Sequence, residues 1–139
     1  MGIYKYKTLY PRKLFVAVGG KFKDIHKRFW SYKGTELDYQ DPNNFLALTI
    51  KVMEKGTNHL GELIWLPNNN PEVSVMAHEA FHAMSDICED LNIGIDTQNQ
   101  EPCAYFMGWI CEKIQESLLK EQKDGQRNST ETGNRADNN

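Results

Sequence analysis

Apolar residues recur along this chain in two rhythms, mainly strand-like before residue 67 and helical after residue 72. Leu46, Leu48, Ile50 and Val52 alternate with Ala47, Thr49 and Lys51, the period-two pattern of a half-buried strand. Lys55-Gly56-Thr57-Asn58 supplies a turn, and Leu60 to Leu66 reads as a second strand, completing a hairpin. Upstream, Lys13 to Val18 reads as a strand, and Phe22, Ile25, Phe29 and Trp30 mark a short amphipathic helix.

The helical rhythm is clearest from Val73 to Leu91, where Val73, Met76, Ala77, Ala80, Phe81, Met84, Ile87, Cys88 and Leu91 fall at helical intervals. Pro71 and Gly94 bracket this run as start and stop signals, and its density of apolar residues predicts a mostly buried helix. A second helical run spans Glu101 to Leu119, with Ala104 and Gly108 as a small-residue face for close packing against Ala80 and Ala83. The element order β-α-β-β-α-α predicts an α+β fold, a small antiparallel or mixed sheet packed on a helical pair. Residues 1–120 form one domain. Residues 121–139 contain Ala136 as their one apolar residue, and this composition predicts a disordered polar tail.

The chemistry lies inside the first long helix, at His78-Glu79-Ala80-Phe81-His82. Two imidazoles four residues apart share a helix face, roughly 6 Å apart along the axis, so both can reach one metal ion. The intervening Glu79 flanks that face, where it can accept a proton from metal-bound water. Two imidazoles alone leave a catalytic zinc short of protein donors. No histidine follows His82, so the remaining candidates are Asp86, Glu89, Asp90, Asp96 and Glu101. Asp86 lies one turn beyond His82 and suits support of a ligand better than ligation. Glu101 opens the next helix, and close packing of the two helices would carry it toward the histidines. It is the favoured third ligand, with the Cys103 thiolate as an alternative.

His78-Glu79-x-x-His82 followed by Glu101 at the start of the next helix resembles the gluzincin arrangement of zinc metallopeptidases. The stretches Gly61-Glu62-Leu63-Ile64-Trp65-Leu66-Pro67, Ala77 to Ala83 and Asn99-Gln100-Glu101-x-x-Ala104-Tyr105 are similar to small phage- and prophage-encoded proteins assigned as metallopeptidases. The resemblance covers about residues 45–115. It implies a minimal zincin-like fold, Zn2+ at His78, His82 and Glu101, and Glu79 as general base. Two features depart from the larger gluzincins. Pro102 directly follows the expected ligand, making Glu101 or Asn99 the helix cap, and no downstream histidine is present to stabilise a transition state. Tyr105, one turn after Glu101, is the best substitute, and His59 is a weaker one. The resemblance also implies an extended peptide or protein substrate lying along an edge strand, for which residues 60–66 are the candidate.

Charge changes this picture little. Residues 1–33 carry nine Lys/Arg against one acid, interleaved with aromatic residues, whereas the rest of the chain is acidic. Pairing of these bases with the acidic remainder is favoured over a nucleic-acid surface. Cys88, Cys103 and Cys111 are odd in number, lack CxxC spacing and read as buried thiols of a reducing compartment. The longest early apolar run, Leu14 to Val18, is too short for a signal peptide, and no segment approaches the roughly 20 apolar residues of a membrane span. A cytoplasmic protein is expected. The Asn128-Ser129-Thr130 sequon is therefore read as accidental, and the sequence leaves the oligomeric state open. The expected activity is peptide-bond hydrolysis by a zinc-activated water. The alternative is a catalytically silent, zinc-stabilised binding or regulatory protein.

Overall fold

The computed structural model describes the backbone of residues 1–136 and the side chains of residues 1–131. Five strands form one mixed sheet: β1 (Gly2–Lys7), β2 (Lys13–Val18), β3 (Phe29–Trp30), β4 (Leu48–Glu54) and β5 (Leu60–Leu66). Three helices accompany it: α1 (Phe22–Arg28), α2 (Val73–Asp90) and α3 (Glu101–Ala136). The strand order is β1-β2-β5-β4-β3, antiparallel throughout except for the β2–β5 seam. The fold is α+β, with β5 running through the centre of the sheet.

The two central strands are buried on both faces, which explains why Leu-Phe-Val-Ala-Val and Leu-Ile-Trp-Leu are nearly unbroken apolar runs. Leu14, Val16, Val18, Ile64 and Leu66 pack under α2 and α3. Phe15, Ala17, Leu63 and Trp65 face Phe22 and Ile25 of α1 on the other side. Gly61 lies where β5 passes the Lys13 carbonyl, and a Cβ there would collide with that oxygen. The β4–β5 turn uses Gly56 and Asn58 at positive φ, as its sequence predicts.

Several expectations need correction. Residues 60–66 are a central strand, not an edge: the terminal strands are β1 and β3, and β4 also has a free edge from Leu48 to Val52 because β3 pairs only with Met53 and Glu54. β1 is an unexpected strand. Its Tyr4 and Tyr6 hydroxyls reach α3, meeting Glu121 and Ser117 at 2.7 Å each. Phe29 and Trp30 leave α1 and form β3. α2 ends on Asn92, at φ 56, rather than on Gly94. Its N–H bonds the Glu89 carbonyl at 3.1 Å and the next N–H, of Ile93, bonds the Cys88 carbonyl at 2.8 Å, a Schellman closure.

α3 continues past Leu118 to Ala136, so residues 121–136 are helical where the composition predicts disorder; 137–139 lie outside the described residues. Extending an existing helix needs no new nucleus, and Gln, Lys and Arg sustain it without burial. α3 also turns a different face inward. Ile110, Ile114 and Leu118 are buried, whereas Ala104 and Gly108 are exposed and no atom lies within 4 Å of a Cβ built on Gly108. The small-residue pair is therefore not the contact between the helices. No helix among the described residues is long and apolar enough to cross a membrane.

Candidate functional site

α2 is amphipathic rather than mostly buried. Ala80, Ala83, Met84, Ile87 and Cys88 enter the core, while His78, Phe81 and His82 are exposed. The two imidazoles converge on the outer face, with their Nε2 atoms 3.0 Å apart. Two ligands on one tetrahedral zinc, at 2.0–2.1 Å from the metal, stand about 3.3 Å apart. The pair is thus within a few tenths of an ångström of that spacing.

Glu79 lies on the inner flank of that face, in a cleft of 370 Å3 between α2 and the start of β4 that Leu46, Ala47, Ser74, Val75 and His78 also line. Its carboxylate is buried, with one oxygen 4.0 Å from His78 Nε2. The Thr49 hydroxyl donates to the other oxygen at 2.5 Å, which fixes the orientation of the carboxylate. Thr49 escapes sequence reasoning because the alternation sets it on the polar side of β4, opposite Leu48, Ile50 and Val52, and gives no sign that α2 covers that side. It lies on the free edge of β4, beside the site.

Glu101 is the first residue of α3, and the Gln100 carbonyl, rather than Glu101 or Asn99, accepts the opening helical bond from Ala104 N–H at 2.9 Å. Pro102 sits in the first turn, where its missing N–H costs nothing. Glu101 and Tyr105 line a groove of 970 Å3 with Thr8, Leu9 and Tyr10 of the β1–β2 turn, a groove that does not include His78, Glu79 or His82. Tyr105 is 75% exposed. Among the described residues no group of three or more His, Cys, Asp and Glu side chains is gathered tightly enough to hold a metal ion. The structure therefore assembles His78, Glu79 and His82 and leaves Glu101 and Tyr105 in a neighbouring groove. His59 is engaged elsewhere, its Nδ1 2.7 Å from Lys5 Nζ. Cys103 lies against the Cys88 thiol at the far end of α2.

A polar network lies under the C-terminal half of α2. Lys51 donates to Asp90 at 2.8 Å, and Tyr32 donates to the same carboxylate at 2.7 Å, with Arg12 at 3.4 Å. Burial pushes the Asp90 carboxyl up, but the Lys51 and Tyr32 hydrogen bonds outweigh it and hold it below the usual range. Asp86, between this network and His82, is raised by burial, against the pull of Lys51. On the other face of the sheet, Lys5, Thr57 and Arg28 surround Glu54. Basic residues of the N-terminal third thus meet acids of the remainder.

No known protein family, curated protein or solved structure matches this chain. Function has to be read from the side chains themselves.

Proposed function

We propose that this protein is a zinc-dependent peptidase in which His78 and His82 hold the metal and Glu79 is the general base, while Glu101, the third ligand expected from the sequence, lies in another groove. The observation that supports this reading most is the 3.0 Å approach of two imidazole nitrogens on an exposed helix face beside a buried, oriented carboxylate. A structural zinc site has no use for Glu79. When bound, zinc would supply Lewis acidity and a water acidified to a pKa of about 7. Glu79 would be the base for such a water and the carrier of a proton to a leaving amine, with Thr49 holding its second oxygen. The free edge of β4, from Leu48 to Val52, offers main-chain groups to an extended peptide, and Thr49 places that edge beside Glu79.

The placement of Glu101 and Tyr105 in another groove favours a second reading, a zinc-stabilised binding protein without turnover. Elemental analysis of purified protein, paired with a generic peptidase assay with and without chelator, separates the two. Glu79→Gln should keep zinc and lose hydrolysis about 100- to 10,000-fold, while His82→Ala should lose zinc as well. Zinc-loaded wild type without chelator-sensitive cleavage would leave the second reading standing. Protein that takes up no zinc would remove both.

A further inference from the structure

Glu62 is an anomaly in the centre of the sheet. It is 0% exposed, and neither carboxylate oxygen has a hydrogen-bond partner. Buried polar groups are nearly always paired, so an orphaned carboxyl calls for a physical reason. An ionised, unpaired carboxylate in such a place would cost many kcal/mol, and the ordinary resolution is to keep the proton.

The surroundings agree with that resolution. On β5, Glu62 alternates with Ile64 and Leu66 on the face under α2 and α3. Its strand neighbours are Leu14 on β2 and Lys51 on β4. Lys51 is the nearest candidate for a counter-charge, but its ammonium is taken by Asp90 and Glu89. α2 presents Asp86, Glu89 and Asp90 over this spot, with His82 acting on Asp86 from one turn away. Arg12 and Tyr32 are both committed to Asp90. α3 meets this end of α2 with the uncharged Cys103. Asp86 is the carboxyl that acts most strongly on Glu62. Burial first, and Asp86 second, raise Glu62 to about 9.

We propose that Glu62 keeps its proton at neutral pH beneath α2, with the nearby Asp86 carboxyl disfavouring its loss, and that this proton sets the seating of α2 on the sheet. The proposal stands apart from the zinc reading, since neither carboxyl is assigned to the metal. In the unfolded chain Glu62 titrates near 4.3. The folded state therefore holds one proton more than the unfolded state from there up to about 9. Stability falls across that window, by tenfold in the folding equilibrium per pH unit, and levels off above it.

The test is a carboxyl-carbon NMR titration of the full chain with labelled glutamate, from pH 3 to 10. One resonance should keep its protonated shift at pH 7, vanish in Glu62→Gln, and titrate at lower pH in Asp86→Asn. A wild-type spectrum in which every glutamate carbon titrates below pH 6 overturns the proposal, whether or not the variants fold. Urea unfolding at intervals from pH 5 to 9 gives the second measurement. Wild type should lose stability against Glu62→Gln with each unit of rising pH, and parallel profiles would overturn the idea.

Discussion

A single hydroxyl fixes the orientation of Glu79, on which its proposed role as a base depends. Thr49 donates to Glu79 Oε2 at 2.5 Å, and a hydrogen bond to a charged group is worth about 1.5–3 kcal/mol. Thr49→Val keeps the shape of β4 and frees that carboxylate to turn. Hydrolysis by the zinc-loaded variant should fall at least tenfold in kcat with zinc content unchanged, read by steady-state kinetics beside metal analysis. Glu54 carries the other prediction at this scale. Burial raises its carboxyl, but Lys5, Thr57 and Arg28 outweigh that and hold it at about 2. A carboxyl depressed on folding stabilises the protein above its unfolded pKa and loses that effect as pH falls through the folded value. Wild type should therefore exceed Glu54→Gln by about 3 kcal/mol at pH 7, with the gap closing between about pH 4.5 and pH 2. Chemical denaturation at each pH would reveal a constant gap if Glu54 were an idle surface acid.

At the level of elements, α2 is held by a narrow stripe of small and medium side chains, so one deletion there is costly. Ile87→Ala should destabilise by about 2–5 kcal/mol with the helix itself retained, measured by urea unfolding and far-ultraviolet circular dichroism. The last four or so turns of α3 behave oppositely. Residues 122–131 are exposed, so ending the chain after Glu121 should lower helical signal while changing stability by less than about 1 kcal/mol. Loss of cooperative unfolding on that truncation would mean the tail is part of the folding unit.

The same elements show what periodicity carries. β2, β5 and the start of α2 are legible because their apolar runs are bounded by turn residues. β1 was not, because Tyr4 and Tyr6 bury ring against α3 while showing a polar hydroxyl, and lysines occupy the alternate positions. The pairing of strands was legible only as a hairpin, since the β2–β5 seam leaves no local mark. The inward face of α3 was misjudged because Ala104 and Gly108 suggested close packing, whereas the larger Ile110, Ile114 and Leu118 fill the core. Of the site, the His78–Glu79–His82 unit follows from spacing on one helix. The position of Glu101 depends on the loop after Asn92, whose path no sequence rhythm encodes.

For the molecule as a whole, the question is whether a metal contributes to holding it together. A ligand that binds only the folded state adds about 2.7 kcal/mol at a hundredfold excess over its Kd. Zinc should raise the calorimetric melting temperature of wild type, chelator should reverse the rise, and His78→Ala should abolish it. An unchanged melting temperature over a wide zinc range would argue that the exposed imidazole pair binds nothing tightly.

The parallel seam between residues 13–18 and 61–66 also governs how the molecule is made. Each flanking hairpin can close by itself, but the middle of the sheet exists only once two stretches distant in the chain have met. Search for that encounter is slow compared with hairpin closure, and until it succeeds both inner strands bare their backbones to solvent. Newly synthesised chains should accordingly pass through a period of vulnerability to self-association, with losses smallest at low concentration.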